Sequence, residues 1–352
     1  MLSTPHTFYY LSSPGEPLVD LTSSGVHAKS IVIDAVSPLV MADTKYLDWY
    51  REGGVTALAP SVASIENARA TLDRLAPWHR LLRERHDLLL VRVARDIETA
   101  KESGRLGVFF HFQGIDPIED NLDLIDLFKQ SGVGLIQLTY NVKNRVGDGC
   151  EERTDAGLSR FGIKVVERLN KARVIIDCSH TGLRTSLDAI EHSAAPVVLS
   201  HSNVCSVHAS PRNVADELID AIAHSGGLIG VVGFPAMVSA TPEPSLDELI
   251  AHIDAIVQRV GIDHVGIGLD YYAYQAGVAS DEEALHFYNA LIRSGIWSTA
   301  YPPPPHHYPA GIETPRTLSN LTSRLLHLGY RESDVQKILG GNWLRVMQAV
   351  WG

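Results

Sequence analysis

A chain of 352 residues, 45% hydrophobic and 20% charged, has the composition of a globular protein with a large buried core rather than of a disordered one. Its 41 acidic against 30 basic side chains leave a formal charge of −11, with no run of Lys or Arg able to neutralise a row of phosphates, which argues against nucleic acid as a partner. Three scattered cysteines (Cys150, Cys178, Cys205) form neither a disulfide framework nor a CxxC zinc spacing, and no stretch reaches the roughly 18 apolar residues of a membrane span, so a soluble cytoplasmic protein with no membrane partner is expected.

Residues 1–23 carry Pro, Ser and Gly without periodicity and are expected to form an irregular arm on the body. Residues 24–352 then follow one continuous pattern, read as a single domain. SIVIDAVS (Ser30 to Ser37) is a continuous apolar run, the signature of a strand buried on both faces, and GVTALAPS (Gly54 to Ser61) is the second such run. Ala63 to His86 has helical apolar spacing with Trp78 and Leu81 turned inward. DLLLVRVARD would make a ninth strand where a closed barrel takes eight, and is assigned as an accessory strand.

GVFFHFQG (Gly107 to Gly114) is the third strand and GVGLIQLTYN (Gly132 to Asn141) the fourth, with a helix over Asn121 to Ser131 between them. A long Gly, Asp and Arg loop, 142–162, precedes a helix over Ile163 to Lys171 and suits a rim over a pocket. RVIIDCSH, PVVLSH, GLIGVVGF and HVGIGLD (His264 to Asp270) supply strands five to eight, with a helix from Ser245 to Val260 before the last. Strands alternating with helices predict a (β/α)₈ TIM barrel. Tyr271 to Pro315, with its run Pro302 to Pro305, breaks the pattern; it reads as an extended lid or oligomer contact, or as a plain surface loop. A C-terminal helical extension follows.

Barrel enzymes carry their chemistry at the carboxyl ends of the strands, where this chain places Gln113, Tyr140, His180, His201 and Asp270. His180 and His201 end successive strands, and neighbouring strand ends lie roughly 5 Å apart. They can therefore share one zinc ion, although each alone is equally a hydrogen-bonded rim residue. Asp270 is the candidate base for water activated by the ion, or else a helix N-cap. Gln113 is a candidate oxygen donor to the metal, and His111 shares its strand face. Tyr140 and Asn141, closing the fourth strand, are substrate-binding candidates. Arg212 suits a bidentate clamp on a substrate carboxylate, or a plain surface role.

The segments DCSHTG, APVVLSHSN, SPRN, DHVGIGLD and GGNWLRVM resemble the signature segments of the membrane (renal) dipeptidase family, a branch of the amidohydrolase superfamily, over about Ser30 to Trp351. The resemblance implies a barrel with two zinc ions that hydrolyses dipeptides, including those with a D- or dehydro residue on the C-terminal side, often as a homodimer. It matches His180 and His201 to strand-end ligands, Arg212 to the arginine for the substrate carboxylate, and Asp270 to the strand-eight acid. It also exposes departures. The family's first-strand Asp-Gly-His-x-Asp is Asp34-Ala35-Val36-Ser37-Pro38 here, so both of its metal ligands are missing, and the bridging glutamate is Gln113. The family's substrate-site histidine is Tyr140. A neutral amide adds no charge to offset the repulsion of two cations, so one zinc ion or none is expected.

A bacterial dipeptidase-like subgroup shares these losses, together with Phe112-Gln113 and the loop Gly147 to Arg153 that contains Cys150. Three readings follow. The first is a metal-dependent hydrolase of a small amide or dipeptide-like substrate bearing a carboxylate. The second is a lyase or cyclase on a small metabolite, because fold does not fix function. The third is a metal-free, catalytically inactive homologue.

Overall fold

Residues 21–352 are described by a computed structural model, in which short parallel strands are buried on both faces. The expected arm, 1–23, lies outside the described residues except for its last three, which open a helix over Leu21–Lys29. The strands are β1 (Ile33–Asp34), β2 (Ala57–Leu58), β3 (Ser61–Ala63), β4 (Leu88–Leu90), β5 (Leu106–Val108), β6 (Phe110–Phe112), β7 (Val133–Gln137), β8 (Ile175–Asp177), β9 (Val197–Val198), β10 (Ile229–Val231) and β11 (Val265–Ile267). β2 with β3, and β5 with β6, are successive halves of single staves. The sheets run β1-β2-β5 and β3-β6-β7-β8-β9, and a bridge from Leu199 to Ile229 carries the ladder on to β10-β11. The ring closes where Asp270 N–H donates to the Val36 carbonyl (3.2 Å) and Leu269 N–H to Asp34 Oδ1 (2.9 Å). Eight staves result, the predicted (β/α)₈ barrel. β4 joins β5 as the accessory strand.

Side chains alternate along each stave, and the two sets go to different partners. Leu58, Phe110, Ile136, Ile176 and Val197 pack among the helices that connect the strands. Ala57, Phe109, Leu135, Ile175 and Val198 pack with Trp343, Met347 and Trp351 of the terminal helix Asn342–Trp351. Its indoles are tied to the barrel backbone, Trp343 Nε1 donating to Ile267 O (2.9 Å) and Trp351 Nε1 to Gly134 O (3.1 Å). A Cβ at Gly134 would lie 2.4 Å from the Trp351 ring, so only glycine leaves the indole its place. The C-terminal extension is thus part of the core.

The segment 271–315 holds the helix Asp281–Ser294, opened by a capping box between Ser280 and Glu283. Tyr301, Tyr308 and Ile312 are buried beyond it. The Tyr308 hydroxyl donates to Asp270 O and that of Tyr271 to Ile312 O (2.9 Å), so the segment lies on the carboxyl ends of the staves, over the rim. Among the described residues no helix is long and apolar enough to cross a membrane.

Asp34 closes the barrel from a fully buried position, and its Oδ2 has no partner among the described residues. Burial pushes its carboxyl up to about 7, against the pull of the Leu269 and Val36 N–H groups. The folded chain therefore keeps a proton that the unfolded chain gives up near pH 4, and Asp34 removes stability as pH rises from about 4 to about 7. Asp34→Asn keeps an acceptor for Leu269 and cannot ionise. Its stability relative to wild type should be constant below pH 4 and climb across that window by up to roughly 1.4 kcal/mol per pH unit. Denaturant unfolding at a series of pH values tests this; a difference independent of pH would refute it.

Candidate active site

β8 and β9 pair in the register Ile176 to Val197 and Asp177 to Val198. His180 and His201 each stand three residues beyond that last pair, so they leave adjacent staves at the same height. Their Nε2 atoms are 2.8 Å apart. His180 has φ of +58°, and the neighbouring rim residues Asn141 (+58°) and Asp270 (+56°) share that left-handed backbone. Such a conformation costs a residue with a Cβ about 1–3 kcal/mol and collects at functional sites.

Hydrogen bonds fix both rings. The Asn141 amide nitrogen donates to Ile296 O (3.0 Å), which leaves Oδ1 to accept from His180 Nδ1–H at 2.5 Å. His201 Nδ1 lies 2.7 Å from Ser200 Oγ, whose own hydrogen points to Asp177 Oδ2. Burial by itself would raise the Asp177 carboxyl. The adjacent His111, then His201 and Ser200, outweigh it and hold the acid well below the usual carboxylate range. Asp177 is therefore ionised and accepts, so Ser200 accepts in turn from His201 Nδ1–H. Both Nε2 atoms then carry lone pairs that face each other, an arrangement a cation between them relieves. Burial first, and then the Arg212 charge, push both imidazoles well below the usual histidine value, so both are neutral, the form that ligates metal.

Arg212 is buried, with Nη2 donating to His201 O (3.2 Å), no carboxylate paired to it among the described residues, and its Nε unpartnered. A buried guanidinium without a counter-ion is costly, and an anion is the chemistry that would offset it. Asp270 stands across the rim with Oδ1 unpartnered. Burial raises its carboxyl to about 8; Arg212 and the Gln113 amide beside it pull it down, and Asp34 pushes it up. Tyr140 stacks on His180 (centroids 4.3 Å apart, planes at 22°) and its hydroxyl accepts from Trp297 Nε1 (3.2 Å). Cys150 Sγ is 3.7 Å from Asn141 Oδ1, and burial raises its thiol to about 11, which favours the neutral thiol at neutral pH. A cavity of about 260 Å³ reaches His180, Arg212 and Cys150.

His180, His201, Tyr140, Asn141 and Arg212 thus meet in one place. Gln113 lies on the Asp270 side, and among the described residues no hydrogen bond joins it to either histidine. Nor is there, among those residues, a cluster of three or more His, Cys, Asp or Glu side chains placed to hold an ion. The imidazole pair, with lone pairs converging, has the donor chemistry for a single ion completed by weaker oxygen donors. Val36 is buried and apolar, and Pro38 precedes a helical turn over Leu39–Ala42; neither offers a ligand. Asp177, Ser200, Trp297 and Tyr301 were not singled out from the sequence. Ser200 had a signal, the repeated placement of Ser directly before a strand-end His (Ser179-His180, Ser200-His201); Asp177 and the aromatic pair had none.

An α/β barrel with paired histidines and an acid on its rim has the architecture of the amidohydrolase-like hydrolases. The chain belongs to the membrane dipeptidase family (peptidase family M19), whose profile matches residues 39–300. It is a homologue of dipeptidase-family metallopeptidases. It is 34% identical to an amidohydrolase from Pseudomonas aeruginosa of known structure, with a TM-score of 0.84 over 94% of this chain and 99% of that one. Dipeptidase verJ from Clonostachys rogersoniana is 27% identical over 291 residues, 82% of this chain and 67% of that protein. A metallo peptidase from Rhodobacter sphaeroides, solved with a phosphinate mimic of the dipeptide L-Ala-D-Ala, shares the fold at 19% identity, with a TM-score of 0.75 over 92% of this chain and 100% of that one.

Asp177 accepts four hydrogen bonds, from Ser179 N (2.9 Å), Ser200 N (2.9 Å), Ser200 Oγ and His111 Nε2 (3.2 Å). Asp177→Ala strands these buried donors and should lower unfolding free energy by roughly 3–5 kcal/mol. Urea unfolding at pH 7 measures it, and a loss below about 1 kcal/mol would show that the carboxylate does not hold the two strand ends.

Proposed function

We propose that the chain is a metal-dependent hydrolase of a small dipeptide-like amide bearing a carboxylate, using one zinc ion held by Nε2 of His180 and His201. The mutual approach of two neutral imidazole nitrogens, both with lone pairs inward, carries this reading. Gln113, beside Asp270, is a neutral oxygen donor, and Val36 and Pro38 supply none, which supports one ion rather than two. The domain is taken as 24–352 with 271–315 as its cover, and the three free thiols suit a cytoplasmic setting.

Held by His180 and His201, a zinc ion would supply Lewis acidity to the scissile carbonyl and to water. Arg212 binds the substrate carboxylate, which supplies the counter-ion its buried guanidinium lacks. Asp270, in its ionised form, takes the proton of the attacking water and returns it to the leaving amine; burial raises its carboxyl to about 8, so that form gains as pH rises toward 8. The Gln113 amide holds that carboxylate in place. Tyr140, flat on His180 and tied to Trp297, shields the reacting bond from bulk water.

Elemental analysis of protein saturated with zinc and desalted should give about one equivalent in wild type and less than a tenth in His201→Ala. Among L-L, L-D and dehydro dipeptides at least one should be turned over, and Arg212→Ala should raise KM about 100-fold through loss of the charged contact. A protein that holds no metal removes the zinc. A metal-loaded protein that cleaves no dipeptide removes the peptidase reading and leaves a lyase or cyclase on the same scaffold.

A further inference from the structure

The cover over the rim and the His180 ring meet at one side chain, Asn141. It is fully buried at the end of the β7 stave. Its Oδ1 accepts from His180 Nδ1–H (2.5 Å) and faces the Tyr301 hydroxyl (3.4 Å) and Cys150 Sγ (3.7 Å). Its Nδ2 donates to Ile296 O (3.0 Å) and lies 3.3 Å from the Tyr301 hydroxyl. A primary amide has two N–H donors and one carbonyl with two lone pairs, so protein groups already occupy it and nothing remains for a substrate. Ile296 and Tyr301 belong to the cover, where Tyr301 stacks on Trp297 (4.4 Å, 14°) and Tyr288 OH donates to Tyr301 O (2.9 Å). A parallel route runs from Trp297 through the Tyr140 hydroxyl to the ring stacked on His180.

We propose that Asn141 is a positioning residue rather than a substrate ligand: it couples the cover to the His180 imidazole, so that seating residues 296–301 sets the tautomer and direction of His180 Nε2. Displacing Trp297 and Tyr301 therefore loosens His180, and the ring is locked again when the cover returns. Only the consequence for metal retention rests on the one-zinc reading above; the tautomer and the cover contacts stand without it.

Two variants separate the two sides of the amide. Asn141→Asp keeps an acceptor for His180, tolerates the left-handed backbone, and replaces the donors to Ile296 and Tyr301. Asn141→Ala loses both sides. In metal-free protein labelled with ¹⁵N-histidine, with the His180 signals identified by their absence in His180→Gln, wild type and Asn141→Asp should show the Nδ1–H tautomer and Asn141→Ala a mixture. Amide hydrogen exchange over 296–301 should rise at least about 10-fold in both. With zinc added, chelator competition should show binding weakened about 10- to 100-fold in Asn141→Ala, the range typical of lost partners to a metal-bound histidine, and little changed in Asn141→Asp. An unchanged His180 tautomer in folded Asn141→Ala, or unchanged exchange of the cover in Asn141→Asp, overturns the proposal. If Asn141→Ala does not fold, the Asn141→Asp exchange decides. If wild type holds no zinc, the one-zinc reading falls and the tautomer result still decides this one.

Discussion

Two imidazole nitrogens 2.8 Å apart, each with its lone pair turned toward the other, set the conditions that the rest of the rim satisfies. Uncompensated, that approach is repulsive, and free rings would rotate or exchange tautomers to escape it. Neither ring is free. Asn141 holds one from the β7 side, and Ser200, itself held by ionised Asp177, holds the other. Asp177 also accepts from the backbone of both strand ends, so the carboxylate that orients His201 also keeps β8 and β9 in register. Backbone strain at Asn141, His180 and Asp270 belongs to the same arrangement, since each turns inward from a stave by adopting positive φ.

Charge is divided unevenly around this centre. Arg212 approaches His201 and lacks a counter-ion, while Asp270 and Asp34 lie on the opposite side, where burial holds their protons near neutral pH. Under the function proposed above, the carboxylate of a small amide would lie toward Arg212 and its scissile bond toward Asp270. The side that would need first-strand donors for a second ion is occupied by the buried side chain of Val36. Two protonatable acids and a neutral amide at Gln113 stand there instead.

Much of the architecture was legible from apolar runs, because staves buried on both faces leave an uninterrupted hydrophobic signature. The surplus run at Leu88 was correctly set aside: it pairs only with β5. Strand ends were less legible. The fourth run is expected to continue to Asn141, yet β7 ends at Gln137, and the last ladder bond to β8 is Leu138 N–H to Asp177 O (3.2 Å). The second run divides into β2 and β3 around Pro60, which has no N–H to donate. At the site, the histidine pair was visible because both members close apolar runs. The contacts of Asn141 were not, because Ile296, to whose carbonyl its amide donates, is 155 residues away in a segment without periodicity. The terminal helix looked like an appendage because its Trp343 and Trp351 find their partners only once the barrel has formed.

Whether one ion sits at the facing nitrogens is tested most directly by anomalous diffraction from a crystal grown with saturating zinc. The expected map has a single strong peak within bonding reach of Nε2 of both His180 and His201, about 2.0–2.1 Å from each, and none between Val36 and Asp270. A second peak of comparable height on the Asp270 side, or no peak between the histidines, would contradict it.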